Sequence, residues 1–128
     1  MSSNVHEIKI MSPIVHVTHI EQSIEFYTKK LGFSLDFRYE DFYAGILKDG
    51  NSIHLKAGER RWDGENEKDE LVILFTVEDI ELLFTDLVNS SIQIVQPLRE
   101  MPYGREFYIS DPDGNHFGFV EVPGSVQG

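Results

Sequence analysis

The chain has 128 residues, 41% of them hydrophobic, a formal net charge of -11 and no cysteine. That length supports one domain with a real core. The composition excludes disulfides, thiolate metal sites and a cysteine nucleophile, and the acidic balance argues against nucleic acid, whose phosphates need a basic surface.

No apolar run approaches the ~20 residues of a membrane span, and Met1-Ser2-Ser3-Asn4 lacks the basic-then-apolar pattern of a signal peptide. A cytoplasmic protein without membrane partners is expected. An acidic surface also steers cationic ligands inward.

Residues 1–12 form an N-terminal arm whose alternation (Val5, Glu7, Ile8, Ile10) is ragged. Ile14 to Ile20 reads as a strand, with β-formers broken by His16, Thr18 and His19. Glu21 to Leu31 reads as a helix, because Ile20, Ile24, Tyr27 and Leu31 share one face. Lys29 and Lys30 suit its last turn, and Gly32 its C-cap. Three strands follow: Ser34 to Glu40, where Leu35, Phe37 and Tyr39 alternate with polar residues; Phe42 to Lys48; and, after the turn Asp49-Gly50-Asn51, Ser52 to Ala57. The segment 58–69 is charged and aperiodic and reads as a linker.

The pattern then repeats. Leu71 to Val77 reads as a buried strand. Asp79 is placed to N-cap a helix whose apolar face is Ile80, Leu83, Phe84, Leu87 and Val88. Ser91 to Gln96 is a strand ended by Pro97, and Leu98 to Tyr103 a loop. The chain closes with a hairpin of Arg105 to Ser110 and Asn115 to Val122. Its turn, Asp111-Pro112-Asp113-Gly114, is specified locally: Asp111 accepts from the backbone ahead, Pro112 presets φ, and Gly114 permits positive φ. Ile80 matches Ile20 at an offset of about 60 residues, which argues for two similar halves.

The stretch Pro102-Tyr103-Gly104-Arg105-Glu106-Phe107, followed by Asp111-Pro112-Asp113-Gly114-Asn115, resembles the last two strands of the vicinal oxygen chelate superfamily, which includes glyoxalase I, extradiol dioxygenases and bleomycin-resistance proteins. The bleomycin-resistance branch is the most similar. Ser23-Ile24-Glu25-Phe26-Tyr27, Leu31-Gly32-Phe33 and Ile53-His54-Leu55 fit the same pattern. The resemblance covers about residues 12–122. It implies an α+β fold of two tandem βαβββ modules, about 12–57 and 70–122, forming a cup-shaped mixed sheet in a single domain, 1–128.

In metal-dependent members of that superfamily four ligands face the cup. The resemblance puts those positions at Ser12, His54, Val72 and Gly118, of which only His54 is a good donor. His16 lies four residues from Ser12 along its strand, roughly 13 Å, and His116 two residues from Gly118, about 7 Å. No metal and no other cofactor is therefore expected. Asp111 and Asp113 are explained by the turn, and Arg105 is expected in a structural salt bridge.

The resemblance further implies a small aromatic or cationic ligand, bleomycin-like antibiotics being the best-known case. It would be held by Phe42, Tyr43, His54, Trp62, Tyr103, His16 and His116. Glu40-Asp41-Phe42 looks like the acidic-aromatic element of the bleomycin-resistance proteins. Tyr103 stands where those proteins usually carry tryptophan, which reduces the stacking area. The alternative is a metal-dependent lyase or dioxygenase with a non-standard site around His54, His16 and His116. The related proteins are dimers, so a homodimer is expected, with residues 1–12 as a plausible exchanged arm.

Overall fold

The computed structural model describes residues 6–58 and 72–123. The chain divides into two compact units, Met1–Gly58 and Glu59–Gly128.

In the first unit, β1 (Ile14–Val17) leads into α1 (Ile20–Glu25). A π-helical turn, Phe26–Lys30, carries the helix on, and β2 (Ser34–Tyr39), β3 (Tyr43–Lys48) and β4 (Asn51–Ala57) follow. The sheet order is β1-β4-β3-β2. β1 runs parallel to β4, with Ile14 opposite His54, and the other pairs are antiparallel. Strand alternation sends Val15, Val17, Ala44, Ile46, Ile53 and Leu55 to one buried face. The helix adds Ile20, Phe26 and Tyr27 to the buried set.

The second unit repeats this plan with β5 (Ile73–Thr76), α2 (Ile80–Asn89), β6 (Gln93–Met101), β7 (Gly104–Ser110) and β8 (His116–Glu121). Its order is β5-β8-β7-β6, with β5 parallel to β8. The core gathers Phe107, Ile109, Phe117 and Phe119 around Ile80 and Leu87, and Phe84 meets Phe107 edge-on at 5.0 Å between centroids. The expected βαβββ repeat is therefore the observed one. Ile20 and Ile80 each open a helix and are buried.

Several local readings need correction. The first strand stops at Val17, and the helix takes in Ile20, runs about the expected length to Lys30 and finishes as a π turn. Its extra residue shifts the buried face by one position, so the sequence neighbours Phe26 and Tyr27 are both buried while Ile24 and Leu31 are only partly so. Asp79 makes no side-chain cap. It sits at φ 53, and its own N–H donates to Glu121 Oε2 at 3.0 Å. Among the described residues β5 is paired on one side only, and Leu74 is 53% exposed, so it is not a strand buried on both faces.

Pro97 does not end its strand. β6 continues to Met101, with register shifts between Ile94 and Gln96 and between Gln96 and Arg99. An edge strand tolerates a missing N–H at a bulge. The expected loop 98–103 thus shrinks to the two-residue turn Pro102-Tyr103 between Met101 and Gly104, which pair across the hairpin. The expected linker falls almost wholly outside the described residues.

Gly104 is at φ 144, and a Cβ there would collide with the Glu121 carbonyl oxygen. Gly104→Ala should cost about 2 kcal/mol or more in urea unfolding, from backbone strain and the forced separation of β7 from β8.

Candidate functional site

In the first unit the sheet face opposite the core carries Tyr43, Gly45 and His54. Gly45 stands opposite both Phe37 and His54. A bulge between Leu35 and Phe37 breaks the expected row of Leu35, Phe37 and Tyr39, leaving Leu35 opposite Ile46 and setting Phe37 opposite Gly45. The Phe37 ring lies where a side chain at Gly45 would be. It meets His54 edge-on, with centroids 5.1 Å apart and planes at 90°, and stacks on Tyr43 at 6.1 Å and 19°. Tyr39 and Phe42 stack at 6.5 Å and 21° and are 59% and 54% exposed.

His54 is half-buried. Its Nδ1 lies 2.9 Å from the Tyr43 hydroxyl, and its backbone N–H donates to the Pro13 carbonyl at 2.9 Å. His16 stands opposite Lys56, one pleat along from His54. The Ser12 and Ser52 hydroxyls hydrogen-bond to each other at 2.7 Å. In the acidic-aromatic element, Asp41 pairs with Arg38 at 3.0 Å, and the Glu40 carbonyl accepts Arg38 Nε at 2.8 Å. Its charge is thus partly spent within the chain. Hydrogen bonds from Arg38 to Glu21 and Asp41 hold the Arg38 pKa above its ordinary value.

In the second unit, Tyr103 is half exposed at the β6–β7 turn, and its hydroxyl donates to Glu106 Oε1 at 2.6 Å. Arg99 grips Glu106 Oε2 through Nε at 2.9 Å and Nη2 at 2.7 Å. The Tyr108 hydroxyl approaches Oε1 at 3.4 Å. The Glu106 residue is 1% exposed. Burial alone would raise its pKa, but the Tyr103 and Arg99 hydrogen bonds and the Arg99 charge outweigh that and hold it below the ordinary range. The same contact with Glu106 pushes the Tyr103 phenol up.

Arg105, on the opposite face of β7, pairs with Glu121 at 3.1 Å and Glu81 at 3.5 Å, a structural role as expected. Asp111 Oδ1 accepts the N–H groups of Asp113 and Asn115 at 2.9 and 2.8 Å, so it belongs to the turn. His116 stands opposite Ser110.

Of the sequence-predicted residues, Tyr43 and His54 are in contact, with Phe42 nearby through the Tyr39 and Phe37 rings. Tyr103 and His116 belong to the second unit, and Trp62 lies outside the described residues. Sequence reading missed Phe37 and Tyr39 as part of the aromatic surface, although a glycine inside a strand signals a close approach. It also missed Arg99 as the partner of Glu106, because β6 was expected to stop at Pro97.

The four positions implied for metal ligands do not fit a metal ion. Ser12 is engaged by Ser52. Val72 has no donor atom. A Cβ at Gly118 would lie only 2.5 Å from the Tyr108 ring and 2.9 Å from Leu74, so no longer side chain could be accommodated there without repacking. Among the described residues no group of three or more His, Asp or Glu side chains could hold a metal ion, and no helix is long and apolar enough to cross a membrane.

Residues 9–119 match the family model for the Glyoxalase/Bleomycin resistance protein/Dioxygenase superfamily. No curated protein matches the sequence significantly. Among solved structures, the chain is similar to TioX from Micromonospora sp. ML1 (TM-score 0.76, 20% identity, covering 89% of this chain and 98% of that one). It is similar to the bleomycin-binding protein of bleomycin-producing Streptomyces verticillus, solved with copper(II)-bleomycin (TM-score 0.71, 22% identity, 90% and 97%). It is also similar to a lactoylglutathione lyase from Agrobacterium tumefaciens (TM-score 0.73, 16% identity, 91% and 95%). At these identities the likeness concerns the fold, which serves a binding protein and a lyase alike.

The Arg99–Glu106 pair makes stability fall with acid. The folded carboxylate has the lower pKa, so its contribution is present above the ordinary carboxylate range and is lost as pH drops through the folded value. In urea titrations, wild-type stability should fall progressively below about pH 4, and Glu106→Gln should flatten that part of the profile. Arg99→Leu, which strands the buried charge, should cost about 3 kcal/mol at neutral pH.

Proposed function

The chain belongs to the Glyoxalase/Bleomycin resistance protein/Dioxygenase superfamily, and on that premise we propose that it is a metal-free binding protein that sequesters a small aromatic or cationic molecule. The observation that carries this reading is the ring cluster around His54. Phe37, Tyr39, Phe42 and Tyr43 form an aromatic surface beside one polar group, and two of the rings are more than half exposed. Exposed aromatics in contact suit stacking and cation–π capture. The formal net charge of -11 favours the approach of a cation.

Bleomycin is a reasonable first ligand, since the similar Streptomyces verticillus protein was solved with copper(II)-bleomycin. Phe42, Tyr43 and His54 are the contacts read in the first unit and Tyr103 and His116 those in the second, with Trp62, outside the described residues, as a further candidate from the sequence. His16 flanks His54. The donor positions argue against the lyase or dioxygenase alternative, which needs a metal to polarise vicinal oxygens.

We also read the chain as a single-domain cytoplasmic homodimer. Ile8, Ile10 and Met11 are 84%, 56% and 80% exposed on the segment leading into β1, a strand paired on one side only among the described residues. Three apolar side chains in that setting favour an exchanged arm contacting a second copy.

Bleomycin at about 100 times its dissociation constant should stabilise the purified protein by about 2.7 kcal/mol, raising the thermal midpoint by roughly 5–10 °C. The shift should shrink in Phe42→Ala and Tyr103→Ala. No shift at any bleomycin concentration would remove this ligand. Stoichiometric metal in protein purified without chelating columns, lost in His54→Ala, would overturn the metal-free reading. Sedimentation should give twice the chain mass of 14.7 kDa, and removal of residues 1–12 should return a monomer. A wild-type monomer would refute the exchanged arm.

A further inference from the structure

The pairing of Tyr43 with His54 decides more than packing. Tyr43 Oη and His54 Nδ1 are 2.9 Å apart, and the phenol has no other hydrogen-bond partner among the described residues. A phenol O–H is a stronger donor than a neutral imidazole N–H, and an imidazole nitrogen a stronger acceptor than a phenol oxygen. The hydroxyl therefore donates and Nδ1 accepts. The bond made at one ring nitrogen sets the state of the other, so the proton sits on Nε2.

Nε2 makes no hydrogen bond among the described residues. Nor is it sealed away, since among those residues no buried side-chain polar atom lacks a partner. The ring packs against the stacked pair of Phe37 and Tyr43, edge-on to both at 90° and 80°. Gly45 is what allows this. A side chain there would displace the Phe37 ring that meets the imidazole.

We propose that Tyr43 is a positioning residue that fixes His54 as an Nε2–H donor, so that the aromatic surface selects planar ligands carrying an acceptor oxygen, such as a ring carbonyl, over bare hydrocarbon rings. This rests on the aromatic-binding reading and narrows it to a ligand class. The donor gives direction to a surface that stacking alone would leave tolerant of any flat molecule. A ligand lacking the acceptor would leave the imidazole N–H desolvated and unpaired, and that discriminates against it.

Two measurements on the full chain test the proposal. Long-range proton–nitrogen NMR of the free protein should show His54 protonated on Nε2 and bare on Nδ1, with Tyr43→Phe relaxing to a mixture of tautomers. Binding is then compared for fluorenone, a flat three-ring ketone, and fluorene, the equally flat hydrocarbon with a methylene in place of the carbonyl. Fluorenone should bind about fivefold more tightly, the worth of one hydrogen bond. That preference should vanish in His54→Leu while both rings still bind. A wild-type His54 protonated on Nδ1, or equal affinities for the two rings, would overturn the donor assignment and leave aromatic capture standing. Failure of both rings to bind would overturn both readings.

Discussion

Parallel pairing of the first strand with the last is the constraint on which each unit depends. It sets Ile14 beside His54 in one sheet and Leu74 beside Gly118 in the other. Once that register holds, alternation assigns every neighbouring side chain to a face. Val15, Ile53 and Leu55 go to the core of the first unit while His54 is left on the open side. In the second unit the same rule turns Phe117 and Phe119 inward and places Gly118 against Tyr108. A slip of one residue would bury His54 and expose Leu55, so the candidate site and the core are decided together.

Two forms of polar chemistry occupy the open faces. Around His54 the groups are neutral, and ring geometry does the positioning. Around Glu106 a buried carboxylate is held by a bidentate arginine and two phenols. Removing water from a carboxylate is costly, and only a nearly complete set of donors makes the ionised form the stable one. That arrangement gives the half-exposed Tyr103 ring a fixed orientation through its hydroxyl. Phenylalanine at position 103 would keep the ring and lose this anchor.

The fold family hosts both binding proteins and metal enzymes, so chemistry has to be argued from donors. Ser12, Val72 and Gly118 are the decisive residues, and the tight packing around Gly118 shows that the departure reaches beyond one side chain. Tyr108 and Leu74 occupy the space a ligating residue would need. In the first unit Tyr43 uses His54 Nδ1. What the open face keeps is flat apolar area and one imidazole nitrogen, which suits capture of a ligand better than Lewis-acid chemistry.

Much of this was legible in the amino-acid order alone. The 60-residue repeat, the two helices with their apolar faces, the Asp111 turn and the two βαβββ modules all follow from local signals: periodicity and turn residues. The tertiary structure decided the rest. Local periodicity could not show that the first helix adds a π turn, that β2 bulges so Phe37 covers Gly45, or that β6 passes through Pro97 to bring Arg99 against Glu106. Each of these depends on which strand lies alongside, a contact between residues distant in the chain. His54 could be recognised from sequence as a candidate. Its role as a donor could not, because the partner that sets its tautomer lies eleven residues away on the adjoining strand.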